Sequence, residues 1–202
     1  MRNLVFIITG PSGVGKSTII KLLLNSLPDV HFSVSYTTRP PRPNEENGVD
    51  YYFVSQEEFE SMIKKDRFLE WAEVHGFLYG TSFTEVEKAF GEGKDLILDV
   101  DIQGASAIKR KVTDAVTVFV LPPSWEALKE RLSFREKNDE VVEKRLKKAK
   151  EELKEWKNFE YVIINDNLKR AVTELSSIIL AERAKRKRRE DAVREIISEI
   201  EE

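Results

Sequence analysis

Val5-Phe6-Ile7-Ile8-Thr9 runs directly into Gly10-Pro11-Ser12-Gly13-Val14-Gly15-Lys16-Ser17-Thr18, and the reading of this junction decides the fold. The first segment is apolar and largely β-branched, the pattern of a strand covered on both faces. The second fits G-x-x-x-x-G-K-[ST], and Ile19-Ile20-Lys21-Leu22-Leu23 opens a helix behind it. Glycines let backbone N–H groups close around phosphate oxygens, and the helix adds its positive N-terminus. Gly10, Ser12, Gly13, Val14, Gly15, Lys16, Ser17 and Thr18 are therefore the expected phosphate-binding set. Lys16 would reach the β- and γ-phosphates of a nucleoside triphosphate, and the Ser17 hydroxyl would ligate Mg²⁺. A merely structural glycine-rich turn is the competing reading, and the flanking strand and helix weigh against it.

Four more short apolar runs follow, at residues 32–35, 96–99, 116–120 and 161–164. Helical patterns at 17–27, 102–110, 124–133 and 140–157 separate most of the five. This alternation predicts an α/β fold of the P-loop NTPase type, a parallel five-stranded core sheet flanked by helices. Residues 36–90 break the alternation with a Pro-rich turn (Arg39-Pro40-Pro41-Arg42-Pro43), an aromatic strand (Tyr51-Tyr52-Phe53) and a hairpin-like stretch near Gly76. Ser55 and Glu58 stand in capping-box spacing between them. These features predict a small, partly antiparallel inserted subdomain, a natural place for an acceptor substrate.

Leu96-Ile97-Leu98-Asp99 ends in a carboxylate, which beside a phosphate loop is placed to bind the Mg²⁺ shell. An aspartate at a strand end is otherwise a turn former. Asp101, two residues on, can project to the same side. The 202 residues carry a net charge of −3, so no basic field recruits nucleic acid or an anionic membrane. Cysteine is absent, which excludes disulfides and thiol catalysis and fits a reducing, cytoplasmic setting. The first apolar run is too short for a signal-peptide core or a membrane span. His31 and His75 form no ligand cluster and read as structural.

From Ser35 onward the chain resembles the guanylate kinases, over about residues 4–180. The resemblance rests on Gly10 to Thr18, Ser35-Tyr36-Thr37-Thr38-Arg39-Pro40-Pro41-Arg42, Gly48-Val49-Asp50-Tyr51-Tyr52-Phe53, Phe68-Leu69-Glu70-Trp71, Tyr79-Gly80-Thr81 and Leu98-Asp99-Val100-Asp101-Ile102-Gln103-Gly104, in this order and spacing. It implies ATP and GMP as substrates and Mg²⁺ as cofactor. It implies Arg39, Arg42, Tyr51 and Tyr79 at the GMP phosphate, and Ser35, Glu70, Thr81 and Asp101 around the guanine. The chemistry is matched, since guanidinium forks bind phosphate and a carboxylate accepts the guanine N1–H and amino donors. Tyr52, Phe53 and Trp71 read as subdomain core. Two alternatives stay open: a small P-loop kinase with another phosphorylated acceptor, and a non-catalytic guanylate-kinase-like module that binds protein. Pro40 to Pro43 also satisfies a PxxP ligand pattern.

The resemblance further implies a mobile lid whose arginines, Arg131, Arg135 and Arg145, close on the ATP phosphates. The many surrounding charges read equally as a solvated face. Two departures stand out: Asn44 precedes Glu45 where the family has glycine, and Glu136 replaces a lid glycine in a stretch about one residue short. The implied division is a core at about 1–35 and 91–180, a GMP-binding subdomain at about 36–90, a lid at about 126–157 and a helical extension at about 181–202. In that extension Arg183 to Arg189 holds six basic residues in seven, read as a solvated helix through i, i+4 pairing with Glu182, Glu190 and Asp191. Val193, Ile196, Ile197 and Ile200 form an apolar stripe at helical spacing. The stripe predicts docking on its own domain or on a second subunit, so a tail-mediated dimer is open.

Overall fold

The computed structural model describes residues 3–74, 76–135 and 138–201. Its core sheet has five strands, all parallel, in the order β2-β7-β1-β8-β9. They are β1 (Val5–Thr9), β2 (Val30–Phe32), β7 (Asp95–Asp99), β8 (Val116–Leu121) and β9 (Tyr161–Ile164). Alternate side chains of β1 feed two layers, as a period of two requires. Phe6 and Ile8 join one cluster with Ile19, Ile20 and Leu23 of α1 (Lys16–Leu24) and with Leu175 and Ile179 of α7 (Leu168–Ala184). Val5 and Ile7 join the other, with Ala105 and Ile108 of α4 (Ile102–Lys111). Both faces are thus covered, which is why the strands lack polar alternation. Edge strand β9 departs from this, with Val162 and Ile164 exposed.

β2 ends earlier than its apolar run suggests. After Phe32 the Ser33 N–H still reaches the Ile97 carbonyl, but the Ser35 carbonyl already accepts from Tyr52 of a second sheet. That sheet has the order β4-β3-β6-β5, built from β3 (Tyr36–Thr37), β4 (Tyr52–Phe53), β5 (Phe68–Val74) and β6 (Phe77–Ser82). β5 and β6 form an antiparallel hairpin, while β3 and β4 are parallel. Ser55 caps α2 (Gln56–Lys64) by accepting from the Glu58 N–H at 3.1 Å. Trp71 does not join the subdomain core. It is exposed, because it points away from Glu70 on edge strand β5.

α3 (Phe83–Gly91) follows the hairpin and leads into β7. α5 (Trp125–Arg135) and α6 (Asp139–Glu152), then a 3₁₀ turn at Leu153–Asn158, lie between β8 and β9. Leu128, Leu132, Val142 and Ala149 seat this helix pair on the first core cluster. The basic run at 183–189 is split by Lys185, whose extended ψ of 132° separates α7 from α8 (Arg186–Glu201). It is less solvated than its composition suggests: Arg183 pairs with Asp95 at 2.7 Å, and Arg188 pairs with the buried Glu182 at 3.0 Å. Among the described residues no helix is long and apolar enough to cross a membrane. His75 and Glu136 lie outside the described residues, and so does the side chain of Arg135.

Candidate active site

The phosphate loop leaves β1 at the C-terminal edge of the sheet, where parallel α/β folds place their ligands. Gly15 caps α1 with φ 97°, and a Cβ there would lie 2.5 Å from Asn165 Nδ2. Glycine is required on both counts. Lys16 curls back, its Nζ donating to the Gly10 carbonyl at 2.7 Å and lying 3.7 Å from Asp99 Oδ1. Burial at the end of β7 raises the Asp99 pKa, and Lys16 pulls against that rise. The Ser17 and Thr18 side chains face solvent at the helix start.

A cavity of ≈ 250 Å³ opens beside the loop, with Gly10, Ser12 and Lys16 on one wall. Ser35, Arg39, Arg42, Tyr51, Glu70 and Tyr79 of the second sheet and its loops line it as well, together with Asp99 and Asp101. Three carboxylates and two arginines, spread from position 39 to position 101, thus meet in one cleft. Arg39 is held in place: its Nη2 donates to both Glu45 oxygens at 2.9 Å, and its guanidinium lies 5.4 Å from the centre of the Tyr51 ring. Glu45 also accepts the Arg42 N–H at 2.8 Å and lies 3.8 Å from its guanidinium, so one carboxylate serves both arginines. The turn that brings Glu45 there passes through Asn44 at φ 73°, a conformation asparagine tolerates. Burial raises the Tyr51 pKa and keeps its phenol protonated.

Glu70 is not a surface residue of an edge strand. The register shifts between Phe68 and Glu70, a bulge that turns the carboxylate inward against α4. Its Oε1 accepts the Thr81 N–H at 3.2 Å and the Thr81 hydroxyl at 2.8 Å. A Cβ on Gly104 would lie 2.8 Å from Oε2, so α4 approaches this closely only with glycine there. Burial pushes the Glu70 carboxyl up to about 7, against the pull of the Thr81 hydroxyl and with a push from Asp101. Thr81 itself is fully buried and does not line the cavity; its hydroxyl is spent on Glu70. Asp101 caps α4 by accepting the Gly104 N–H at 2.9 Å.

The arginines expected in a lid divide. Arg145 of α6 lines this cavity, and so do Lys148 and Glu152, three and seven residues on along the same face. Lys148 and Glu152 pair at 3.7 Å, and burial raises the Glu152 pKa against that pull. Arg131 of α5 instead lines a second cavity of ≈ 690 Å³ with Gly13, Gly15, Thr18, Asn165 and Asp166. It donates to the Val14 carbonyl at 3.3 Å, an oxygen that also takes Asn165 Nδ2 at 2.7 Å. Sequence reasoning missed Glu45, Lys148 and Glu152. Helical spacing from Arg145 could have found the last two.

A family model described as guanylate kinase matches residues 2–182. A guanylate kinase of Symbiobacterium thermophilum is 49% identical over 199 residues, covering 98% of this chain and 94% of its own length. One of Thermotoga maritima is 46% identical over 202 residues, 99% of this chain and 97% of its own. The crystal structure of guanylate kinase from Anaplasma phagocytophilum is similar with a TM-score of 0.79 at 32% identity, over 92% of this chain and 89% of the other.

Proposed function

The chain belongs to the guanylate kinase family, an ATP:GMP phosphotransferase, and from that premise we propose how its residues divide the work. The observation that carries the assignment is the single cleft in which Lys16 and the phosphate loop face Arg39, Arg42, Tyr51 and Tyr79, with Glu70 and Asp101 at its far end. ATP phosphates rest on the loop 10–18, and the wider cavity by Arg131, Asn165 and Asp166 takes the rest of that nucleotide. The GMP phosphate is held by Arg39, Arg42 and the two tyrosines, and the guanine donors meet Glu70, with Ser35 and Asp101 beside it. Thr81 orients Glu70.

Asp99 and Ser17 offer hard oxygen donors that fit Mg²⁺, and the partly buried Asp99 carboxylate has Lys16 beside it as a cation. Mg²⁺, when bound with ATP, neutralises charge on the β- and γ-phosphates. No general base is needed, because the acceptor phosphate is already anionic above its second pKa of about 6. The residues act by alignment and charge: Lys16 on the ATP side, Arg39 and Arg42 on the GMP side, Arg145 between them, with Arg135 assigned to the lid by resemblance. Closing α5 and α6 over the cleft would exclude water from the γ-phosphoryl.

We keep the division into core, GMP-binding subdomain (36–90), lid (126–157) and helical extension (181–202). We assign the enzyme to the cytoplasm, with small-molecule rather than nucleic-acid or membrane partners, on its cysteine-free, net-acidic composition. A coupled assay of ADP formation with GMP, AMP, CMP and UMP tests the assignment. Turnover with GMP alone is expected, and preference for another monophosphate would reject it.

A further inference from the structure

Asp101, Gly104, Ile108 and Lys111 recur at helical spacing along one side of α4, from its cap to its last turn. This is the side that meets β5. Gly104 admits the Glu70 carboxylate, whose Oε2 occupies the space a Cβ would need. Ile108, with Ala105, shares a buried cluster with the Leu69 side chain. Lys111 sends its Nζ back along the helix to donate to the Leu69 carbonyl. Leu69 is the residue that the sheet register skips, since Phe68 pairs with Ser82 and Glu70 with Thr81. A bulge leaves its extra residue unpaired in the ladder, so this carbonyl needs a donor from outside the sheet. Lys109 does not compete for it, because its Nζ is spent on the Ala115 carbonyl and on Glu160.

We propose that Lys111 is a positioning residue for guanine recognition: it holds the Leu69 carbonyl, the carbonyl fixes the bulge, and the bulge aims the Glu70 carboxylate into the cleft. This role rests on the assignment of Glu70 as the acceptor of the guanine donors. The Leu69 carbonyl and the Glu70 N–H belong to one peptide plane, so fixing the first fixes the direction from which the Glu70 side chain leaves the strand. Thr81 then holds the far end of that side chain, on Oε1. Lys111 is itself exposed and does not line the cavity, so it acts through Glu70 and not on the nucleotide. Charge works in the same direction as geometry. Burial raises the Glu70 pKa, Asp101 at the cap of α4 adds to the rise, and Lys111 opposes it. The other groups facing Glu70 are the Thr81 hydroxyl of β6 and, across the cavity, Arg145, Lys148 and Glu152 of α6. Without the Lys111 charge, Glu70 ionises at a higher pH, and only the ionised form accepts both guanine donors.

The test is steady-state kinetics of the full chain with ATP and GMP on Lys111→Met, which keeps the apolar stem and removes the ammonium. The position is exposed at a helix end, where such a change leaves the core intact. KM for GMP should rise about tenfold, the scale of one lost charge-assisted hydrogen bond, with kcat and the KM for ATP within about twofold of wild type. Lys111→Arg keeps a charged donor and should return KM to within about threefold of wild type. The pH at which GMP affinity falls to half its value at pH 8 should lie at least about half a unit higher in Lys111→Met. The ionisation of GMP itself is common to both proteins and cancels in that comparison. An unchanged KM, an unchanged pH profile or equal weakening of ATP and GMP overturns the proposal. Glu70→Ala separates the clamp from the assignment beneath it. In that background Lys111→Met should change the KM for GMP by less than about twofold, because its route to the guanine is gone. A full tenfold there makes Lys111 a general structural residue and overturns the proposal. If Glu70→Ala alone leaves GMP kinetics at wild type, the guanine assignment falls; if Glu70→Ala weakens GMP and Lys111→Met does not, only the clamp falls.

Discussion

Glu70 shows how one residue couples stability to specificity. Both hydrogen bonds from Thr81 fall on Oε1, so in the proposed assignment Oε2 is the oxygen that would meet the guanine donors. Its pKa is raised from 4.5 to about 7, so the folded chain binds this proton more tightly than the unfolded chain does. Stability contributed by the protonated form is therefore fully present below about pH 4.5, still largely present at pH 5, and lost as pH rises through about 7, on the order of 3 kcal/mol in all. Melting in the absence of nucleotide should show Glu70→Gln more stable than wild type at pH 8, by several degrees, and no more stable at pH 5. If the difference between the two proteins is the same at both pH values, the buried carboxyl is not the cause. The KM for GMP should rise in wild type below pH 7 as the acceptor becomes protonated. Glu70→Ala should cost about 2–4 kcal/mol in the complex, roughly 30- to 1,000-fold in kcat/KM for GMP, with ATP affinity barely changed. Wild-type kcat/KM, or equal weakening of both nucleotides, would sink the role. Trp71 is exposed beside Glu70, and its fluorescence can follow GMP binding without turnover.

Individual elements place charges that no single residue could hold. The loop between β1 and α1 folds Lys16 back onto the Gly10 carbonyl and toward Asp99, a posture that its proposed role has it exchange for the β- and γ-phosphates. Lys16→Met should leave the fold intact and lower kcat by at least about a hundredfold, the scale of one lost transition-state contact. Activity within about tenfold of wild type would count against the phosphate-loop assignment. The turn between β3 and β4 works differently, through Glu45, which fixes Arg39 and shields it from Arg42. Glu45→Ala should raise the KM for GMP by about tenfold, the equivalent of 1.4 kcal/mol, with a smaller effect on kcat, because the arginine fork loses its preorganisation. Steady-state kinetics on the variant decide this, and an unchanged KM would leave Glu45 as a surface partner only.

At the scale of the whole molecule, one carboxylate ties the two sheets together. Glu85, in the first turn of α3, accepts the Val34 N–H at 3.0 Å, meets His31 Nε2 of the core sheet at 3.1 Å and takes the Tyr52 hydroxyl of the second sheet at 3.5 Å. Burial alone would raise its pKa, but His31 and the Val34 N–H, with Lys88 nearby, outweigh burial and lower it. The stability it contributes is thus present above the ordinary glutamate range and lost as pH falls through the lowered value. Glu85→Gln should cost about 1–3 kcal/mol at pH 7, a fall of roughly 2–4 °C in Tm for each kcal/mol in a chain of this size. The deficit should shrink as pH falls below about 4.5, opposite in sign to the Glu70 effect. A deficit independent of pH would mean that Glu85 acts by packing rather than by charge.

The five core strands, the phosphate loop and the inserted subdomain were legible in the residues themselves, because each is a local pattern: an apolar run, a glycine spacing, a break in alternation. The family resemblance pointed to Arg39, Arg42, Tyr51 and Glu70 for the same reason, through short motifs. Tertiary structure decided what depends on approach from elsewhere in the chain. The bulge in β5 and the bare Gly104 of α4 turned a strand residue into a buried acceptor, and Thr81 from a neighbouring strand became its support rather than a wall of the cleft. Glu45, Lys148, Glu152 and Glu85 carry no motif, since a carboxylate or lysine gains its role from the groups brought near it. The tail divides along the same line. Its stripe and charge order are written in sequence, but only the fold shows the stripe uncovered, because burial is a property of neighbours and not of the helix that bears it.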